Sequence, residues 1–145
     1  MFGISLSYKI DESVLLNLYF KKQALVHPDI DESKSDESAV LNLAYKVLSD
    51  PIDRARYFLE INGKSMDSCV GSANELFQIR EKYDSLSSSV EKKEFIKKYE
   101  DERVKLITAL EESENNLTKF QEIFVSASFI SSFLKKATAD VNSRN

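Results

Sequence analysis

The chain contains one histidine, His27, in the run His27-Pro28-Asp29. An imidazole and a carboxylate two positions apart could move a proton as a dyad, or could recognise a partner. The enzyme reading lacks its other parts. There is no second histidine and no nucleophile-elbow motif, and the single cysteine, Cys69, has no catalytic signature around it. One His and one Cys would leave only carboxylates to complete a metal site, so no metal or other cofactor is expected. Recognition suits the residue types better. Pro28 stiffens a loop tip and so lowers the ordering cost of binding. His27 can donate and accept hydrogen bonds through its two ring nitrogens. Asp29 offers a carboxylate for a charge-assisted, directional contact with a partner's arginine.

The flanking elements decide where this run sits. Asp11 can cap a helix, and Glu12 suits the positive end of its dipole. Leu15, Leu18, Tyr19, Leu25 and Val26 then recur at helical spacing. This helix must stop at or before His27, because Pro28 disfavours helical geometry in the residue ahead of it. Asp29 to Ser38 is polar and aperiodic, and reads as an exposed loop. Ser35 or Ser38 is the expected cap of a second helix with Val40, Leu43, Ala44, Val47 and Leu48 on its apolar face. Ser49-Asp50-Pro51 ends that helix. A third runs from about Ile52 to Ile61 and closes at Asn62-Gly63, where glycine tolerates the positive φ of a helix C-terminus.

Residues 64–72, which include Gly71, read as a linker between a domain at 1–63 and another at 73–145. Three further helices are expected in the second domain. The first carries Leu76, Ile79, Tyr83 and Leu86, and a serine-rich turn, Ser85 to Ser89, follows it. The next carries Ile96, Tyr99, Leu106, Leu110 and Leu117, on a seam interrupted by Arg103 and Ser113 and breaking near Ser113. The last carries Ile123, Ala127, Ile130, Leu134 and Ala137. Narrow seams of this kind suit helices packed nearly antiparallel in a bundle.

Composition agrees with an all-α fold. Three glycines and two prolines in 145 residues are too few for the many tight turns of a β architecture. The net charge of −4 disfavours general nucleic-acid binding. No apolar run is long enough to span a membrane. The N-terminus resembles neither a signal peptide nor a transit peptide, and a lone cysteine suits a reducing compartment, so a cytoplasmic protein is expected.

The order of these features is specific. An amphipathic helix leads into His27-Pro28-Asp29, a polar loop follows, and then comes the run from Ala44-Tyr45 through Val47-Leu48-Ser49-Asp50-Pro51 to Arg54-Ala55-Arg56-Tyr57. This set resembles the J-domain of DnaJ-type co-chaperones, an antiparallel helical hairpin with His-Pro-Asp at its tip. The resemblance extends over nearly the whole chain to the bacterial HscB family, the J-proteins of iron–sulfur cluster assembly. It is carried further by Phe2-Gly3, by the fifteen residues between Asp11 and His27, by Arg54-Ala55-Arg56-Tyr57-Phe58-Leu59 with Asn62-Gly63, and by Gln78-Ile79-Arg80-Glu81.

The resemblance implies a J-domain hairpin followed by a C-terminal three-helix bundle, in a bacterial cytoplasm. His27, Pro28 and Asp29, with Lys21 and Lys22 as supporting cations, would dock on a heat-shock-70-family chaperone of the HscA type and speed its ATP hydrolysis. The bundle would bind the cluster scaffold IscU through Ala73, Asn74, Phe77, Gln78, Arg80, Glu81 and Phe129. Phe77 and Phe129 are also singled out without the family, because both lie off the seams of their helices and off-seam aromatics are candidates for an exposed patch. The protein itself would not be an enzyme.

Several residues depart from the family pattern. Ala73 and Asn74 replace larger apolar residues. Lys22 stands where the family has leucine, and either snorkels or rearranges the core. Ile30 replaces a lysine and thins the basic docking face. Met1 abuts Phe2-Gly3, so a reduced or absent first J-domain helix and a start further upstream are expected. Two other readings share part of this pattern: a generic J-protein with another client, and a structural helical adaptor with a degenerate loop.

Overall fold

The computed structural model describes residues 2, 7–26, 34–64 and 73–142. Their regular structure is helical, with no strand among the described residues, and the expected all-α class is borne out. The helices are α1 (Glu12–Val26), α2 (Ser35–Ser49), α3 (Pro51–Ile61), α4 (Ala73–Ser85), α5 (Ser89–Glu112) and α6 (Leu117–Asn142). Chain contacts divide the protein into two compact units, Met1–Asn62 and Gly63–Asn145.

In the first unit, local chemistry sets the helix ends. Asp11 Oδ1 accepts from the Ser13 and Val14 amides at 2.9 and 3.1 Å and from the Ser13 hydroxyl at 2.6 Å. These bonds, the hydroxyl's first, hold the Asp11 carboxyl below its ordinary pKa of 3.8. A depressed folded-state pKa contributes stability that is complete above the unfolded value and lost as pH falls through the folded one. Asp11→Ala is therefore expected to lower the thermal midpoint at neutral pH. The gap to the unsubstituted protein should close once acid protonates Asp11, which paired circular-dichroism melts at neutral and strongly acid pH would show.

Asp50 both ends α2 and caps α3, its Oδ1 accepting from the Ile52 and Asp53 amides at 2.8 and 3.0 Å, with Pro51 in the first helical turn where no amide donor is needed. Gly63 closes α3 at φ +71°. The buried Arg54 donates to the Leu48 carbonyl at 2.7 Å, one of the α2 terminal carbonyls without a helical partner, and its guanidinium lies 5.2 Å from the Tyr8 ring centre.

The start of α2 differs from expectation. Neither Ser35 nor Ser38 caps it: Lys34 holds the N-cap position without a side-chain hydrogen bond, and Ser35 is already helical. Ser38 is buried instead, its hydroxyl accepting from Gln23 Nε2 at 3.2 Å between α1 and α2. The pairing of α1 with α2 rests on Phe2, Leu15 and Leu41, with Leu18, Tyr19, Val26, Ala44, Tyr45 and Leu48 around them. Leu25, Val40 and Leu43, assigned by periodicity to apolar faces, are exposed.

In the second unit α6 packs against both α5 and α4. A capping box starts α5. The Ser88 hydroxyl accepts from the Val90 amide at 3.2 Å, and Glu91 accepts from the Ser88 amide at 3.2 Å. The core gathers Tyr83, Ile96, Ile130, Phe133, Leu134 and Ala137. The Phe133 ring lies edge-on to Tyr83, Phe95 and Tyr99 at 5.5, 6.0 and 5.5 Å. Arg103, an interruption in the apolar seam, donates from Nε to Ser131 Oγ at 2.9 Å and so joins α5 to α6.

The expected break at Ser113 is present, but Leu117 does not continue the preceding seam. The chain turns through 113–116, Asn116 Oδ1 accepts from the Lys119 amide at 3.2 Å, and Leu117 opens α6. Along α6 the buried set also takes in Phe120, Phe124 and Phe133, which the seam of Ile123, Ala127, Ile130, Leu134 and Ala137 had left out; Ile123 is only half-buried.

Candidate functional site

Residues 27–33 connect α1 to α2, and His27, Pro28 and Asp29 lie outside the described residues, as does Ile30. What the structure describes is their mounting. The two helix ends that flank the loop are tied by Lys34, whose Nζ donates to the Leu25 carbonyl at 3.3 Å. Lys21 is exposed. Lys22 is half-buried and lines a groove of about 400 Å³ with Leu25, Val26, Val40 and Leu41, beside Asp36 and Glu37.

A second set of candidate residues lies in the bundle. Asn74, Phe77, Gln78 and Glu81 are exposed on α4, and their spacing of three, four and seven places them on one helix face. Phe77 is 66% exposed, a large apolar side chain with little to cover it. Arg80, also exposed, approaches Asp84 at 3.7 Å. With both partners open to water, such a pair holds the helix surface only weakly. Ala73 is the first residue of α4, and its side chain lies outside those described. Phe129, off the seam of α6, is half-buried rather than fully exposed.

The structure adds surface residues that the reading of the first helix passed over. Leu16 and Phe20 are exposed on α1. The off-seam rule that found Phe77 and Phe129 would have found Phe20 as well. Among the described residues no group of three or more His, Cys, Asp or Glu could hold a metal ion. Nor, among them, is any helix long and apolar enough to cross a membrane.

A helical hairpin followed by a separate helical bundle is the arrangement that the resemblance to J-domain co-chaperones implied. Relatives narrow the class. The chain is 41% identical over 54 residues to the mitochondrial J-type co-chaperone JAC1 of Saccharomyces cerevisiae, a match covering 37% of this chain and 29% of that protein. It is 35% identical over 65 residues to the iron-sulfur cluster co-chaperone protein HscB of Mus musculus, covering 39% and 28%. The fold is like that of the chaperone HscB from Vibrio cholerae, with a TM-score of 0.84 at 20% identity over 99% of this chain and 96% of that one. No protein-family model matches the chain. The sequence matches take in less than half the length of these curated relatives. Sequence likeness to HscB- and JAC1-type co-chaperones in part of the chain, and likeness of fold over nearly all of it, bear out the resemblance.

Proposed function

We propose that this protein is a co-chaperone that stimulates the ATPase of a heat-shock-70-family chaperone of the HscA type and delivers to it the iron–sulfur scaffold IscU. The observation that carries this reading is the ordered run from His27-Pro28-Asp29 to Arg54-Ala55-Arg56-Tyr57 on a helical hairpin, in a chain that resembles proteins named as iron–sulfur cluster co-chaperones. Catalysis belongs to the partner. His27, Pro28 and Asp29 supply directional contacts, and Lys21 and Lys22 supply positive charge beside them. Asn74, Phe77, Gln78, Arg80 and Glu81, with Ala73 and Phe129, receive the scaffold. Its compartment is a reducing one. Relatives named mitochondrial stand beside relatives from Vibrio, so a bacterial cytoplasm is not required.

The test is single-turnover ATP hydrolysis by an HscA-type chaperone with this protein and the scaffold, added separately and together. Stimulation by both that exceeds the sum of the two supports the reading. Stimulation indifferent to the scaffold replaces it with a generic J-protein, a reading that the small Ala73 and Asn74 on the client face favour. No stimulation leaves a structural adaptor. Within the proposed client face, Phe77→Ala should weaken scaffold binding by about 1–3 kcal/mol, the loss expected for an exposed aromatic anchor. Isothermal titration with the apo scaffold measures it, and an unchanged affinity with intact helicity removes Phe77 from the site.

A further inference from the structure

The second unit carries a polar cavity of about 230 Å³ where α4 ends, α5 begins and α6 ends. Its most rigid wall is Tyr83, which is buried, donates its hydroxyl to the Ala137 carbonyl at 3.4 Å and meets the Phe133 ring at 5.5 Å. The Lys92 ammonium is held 5.2 Å from the centre of the Tyr83 ring, and Lys93 lines the cavity beside it. Ser87 and Ser89 add two exposed hydroxyls, while Ser88 between them is already used as the cap of α5. Two carboxylates share the lining, but Asp84 approaches Arg80 at 3.7 Å and Asp140 is engaged as well. Among the described residues neither lysine makes an ion pair, and neither the Ser87 nor the Ser89 hydroxyl makes a hydrogen bond. Lys92 and Lys93 also follow Glu91 near the start of α5, the positive end of the helix, where cations are disfavoured.

We propose that this cavity binds a small, hydroxyl-bearing phosphate monoester. Lys92, Lys93, Ser87 and Ser89 donate to the phosphate, and Asp84 and Asp140 accept from the hydroxyl groups of the ester. Two unpaired ammonium groups and two free hydroxyls converge on a small space with hydrogens to donate. A phosphate monoester offers them three acceptor oxygens and close to two negative charges, whereas a carboxylate offers fewer oxygens and a single charge. Lysine suits this ligand as a compact point charge that needs no planar, bidentate partner. The bound phosphate also offsets the cost of placing Lys92 and Lys93 at the positive end of α5. The carboxylates keep the site from being a general anion trap, because a bare anion leaves them unused and beside negative charge. The proposal is independent of the chaperone reading and draws on none of the residues assigned to it.

The experiment is a nuclear magnetic resonance titration of the full chain with glycerol phosphate, inorganic phosphate and acetate at matched ionic strength. Glycerol phosphate should shift the amides of residues 87–93 saturably, and inorganic phosphate should bind there more weakly. Acetate should leave those amides in place. Lys92→Gln with Lys93→Gln should weaken glycerol phosphate binding about tenfold or more, the scale of lost charge-assisted hydrogen bonds. Lys97→Gln with Lys98→Gln, exposed positions further along the same helix, should leave it unchanged. Circular dichroism should show the same helicity in all forms, since none of these lysines belongs to the buried core. No saturable shift with glycerol phosphate overturns the proposal. So does equal weakening by the Lys97 and Lys98 changes, which would mean diffuse attraction rather than a site. Acetate binding as tight as glycerol phosphate overturns it too, and so does inorganic phosphate binding as tight, which would leave the two carboxylates without a role.

Discussion

His27→Gln is expected to remove most of the chaperone stimulation, by about tenfold or more, while the melting temperature and helical content stay as they are. Glutamine keeps comparable size and polarity, with one donor group and one acceptor. It does not keep the ring geometry that directs them, so the change tests directional recognition rather than solubility or charge. The fold should tolerate it. The hairpin is held by Phe2, Leu15 and Leu41, by the Gln23–Ser38 hydrogen bond and by the Tyr19–Tyr45 stack, none of which involves His27. Loss of about tenfold in function corresponds to about 1.4 kcal/mol of contact free energy, well within the range of a single interface residue. Single-turnover ATP hydrolysis with each form at matched concentration reads the effect. Undiminished stimulation by a folded His27→Gln protein would remove the loop from the mechanism.

The second large effect is on stability. Phe133→Ala should destabilise the C-terminal unit by about 3–5 kcal/mol, the usual cost of emptying a buried aromatic site. Phe133 is 3% exposed and meets three rings edge-on, so truncation opens a cavity and also removes ring-edge contacts worth about 0.5–1.5 kcal/mol beyond burial. Set against a typical total of about 5–15 kcal/mol, the loss is a large part of what holds such a domain folded. The chain has no tryptophan, so urea unfolding is best followed by far-ultraviolet circular dichroism. Phe133→Leu separates the two contributions, because it refills much of the volume without the ring. Equal losses for Ala and Leu would mean that the ring contacts, rather than the volume, dominate this core.

How far the sequence could be read depended on whether the deciding interaction was local. Asp11 and Asp50 each satisfy amides two and three residues ahead. Pro51 stands in the first turn of α3, where no amide donor is needed, and Gly63 supplies a positive φ at the end of that helix. These signals were legible, as was the break at Ser113. Periodicity was less informative where a helix is apolar on several sides. Helix α1 carries Val14, Leu15, Leu16, Leu18, Tyr19, Phe20, Leu25 and Val26, and the seam that spacing picks out among them wrongly includes Leu25. Packing against α2 buried Leu15 and left Leu16, Phe20 and Leu25 in solvent. Helix α6 erred in the other direction. It packs against two helices, so its buried arc is wider than the single seam expected, and it takes in Phe120, Phe124 and Phe133.

The candidate sites divide along the same line. The sequence by itself determined the all-α class, most of the helix ends, and the identity and order of the residues around His27-Pro28-Asp29, because each of these is carried by a few neighbouring residues. The tertiary structure alone decided that Phe77 is open to solvent while Phe129 is half-buried, that Ser38 turns inward to Gln23 instead of capping its helix, and that Lys22 lies along an apolar groove. Exposure depends on what the rest of the chain brings alongside a residue, and partners such as Gln23 and Ser38, or Arg103 and Ser131, lie 15 and 28 residues apart.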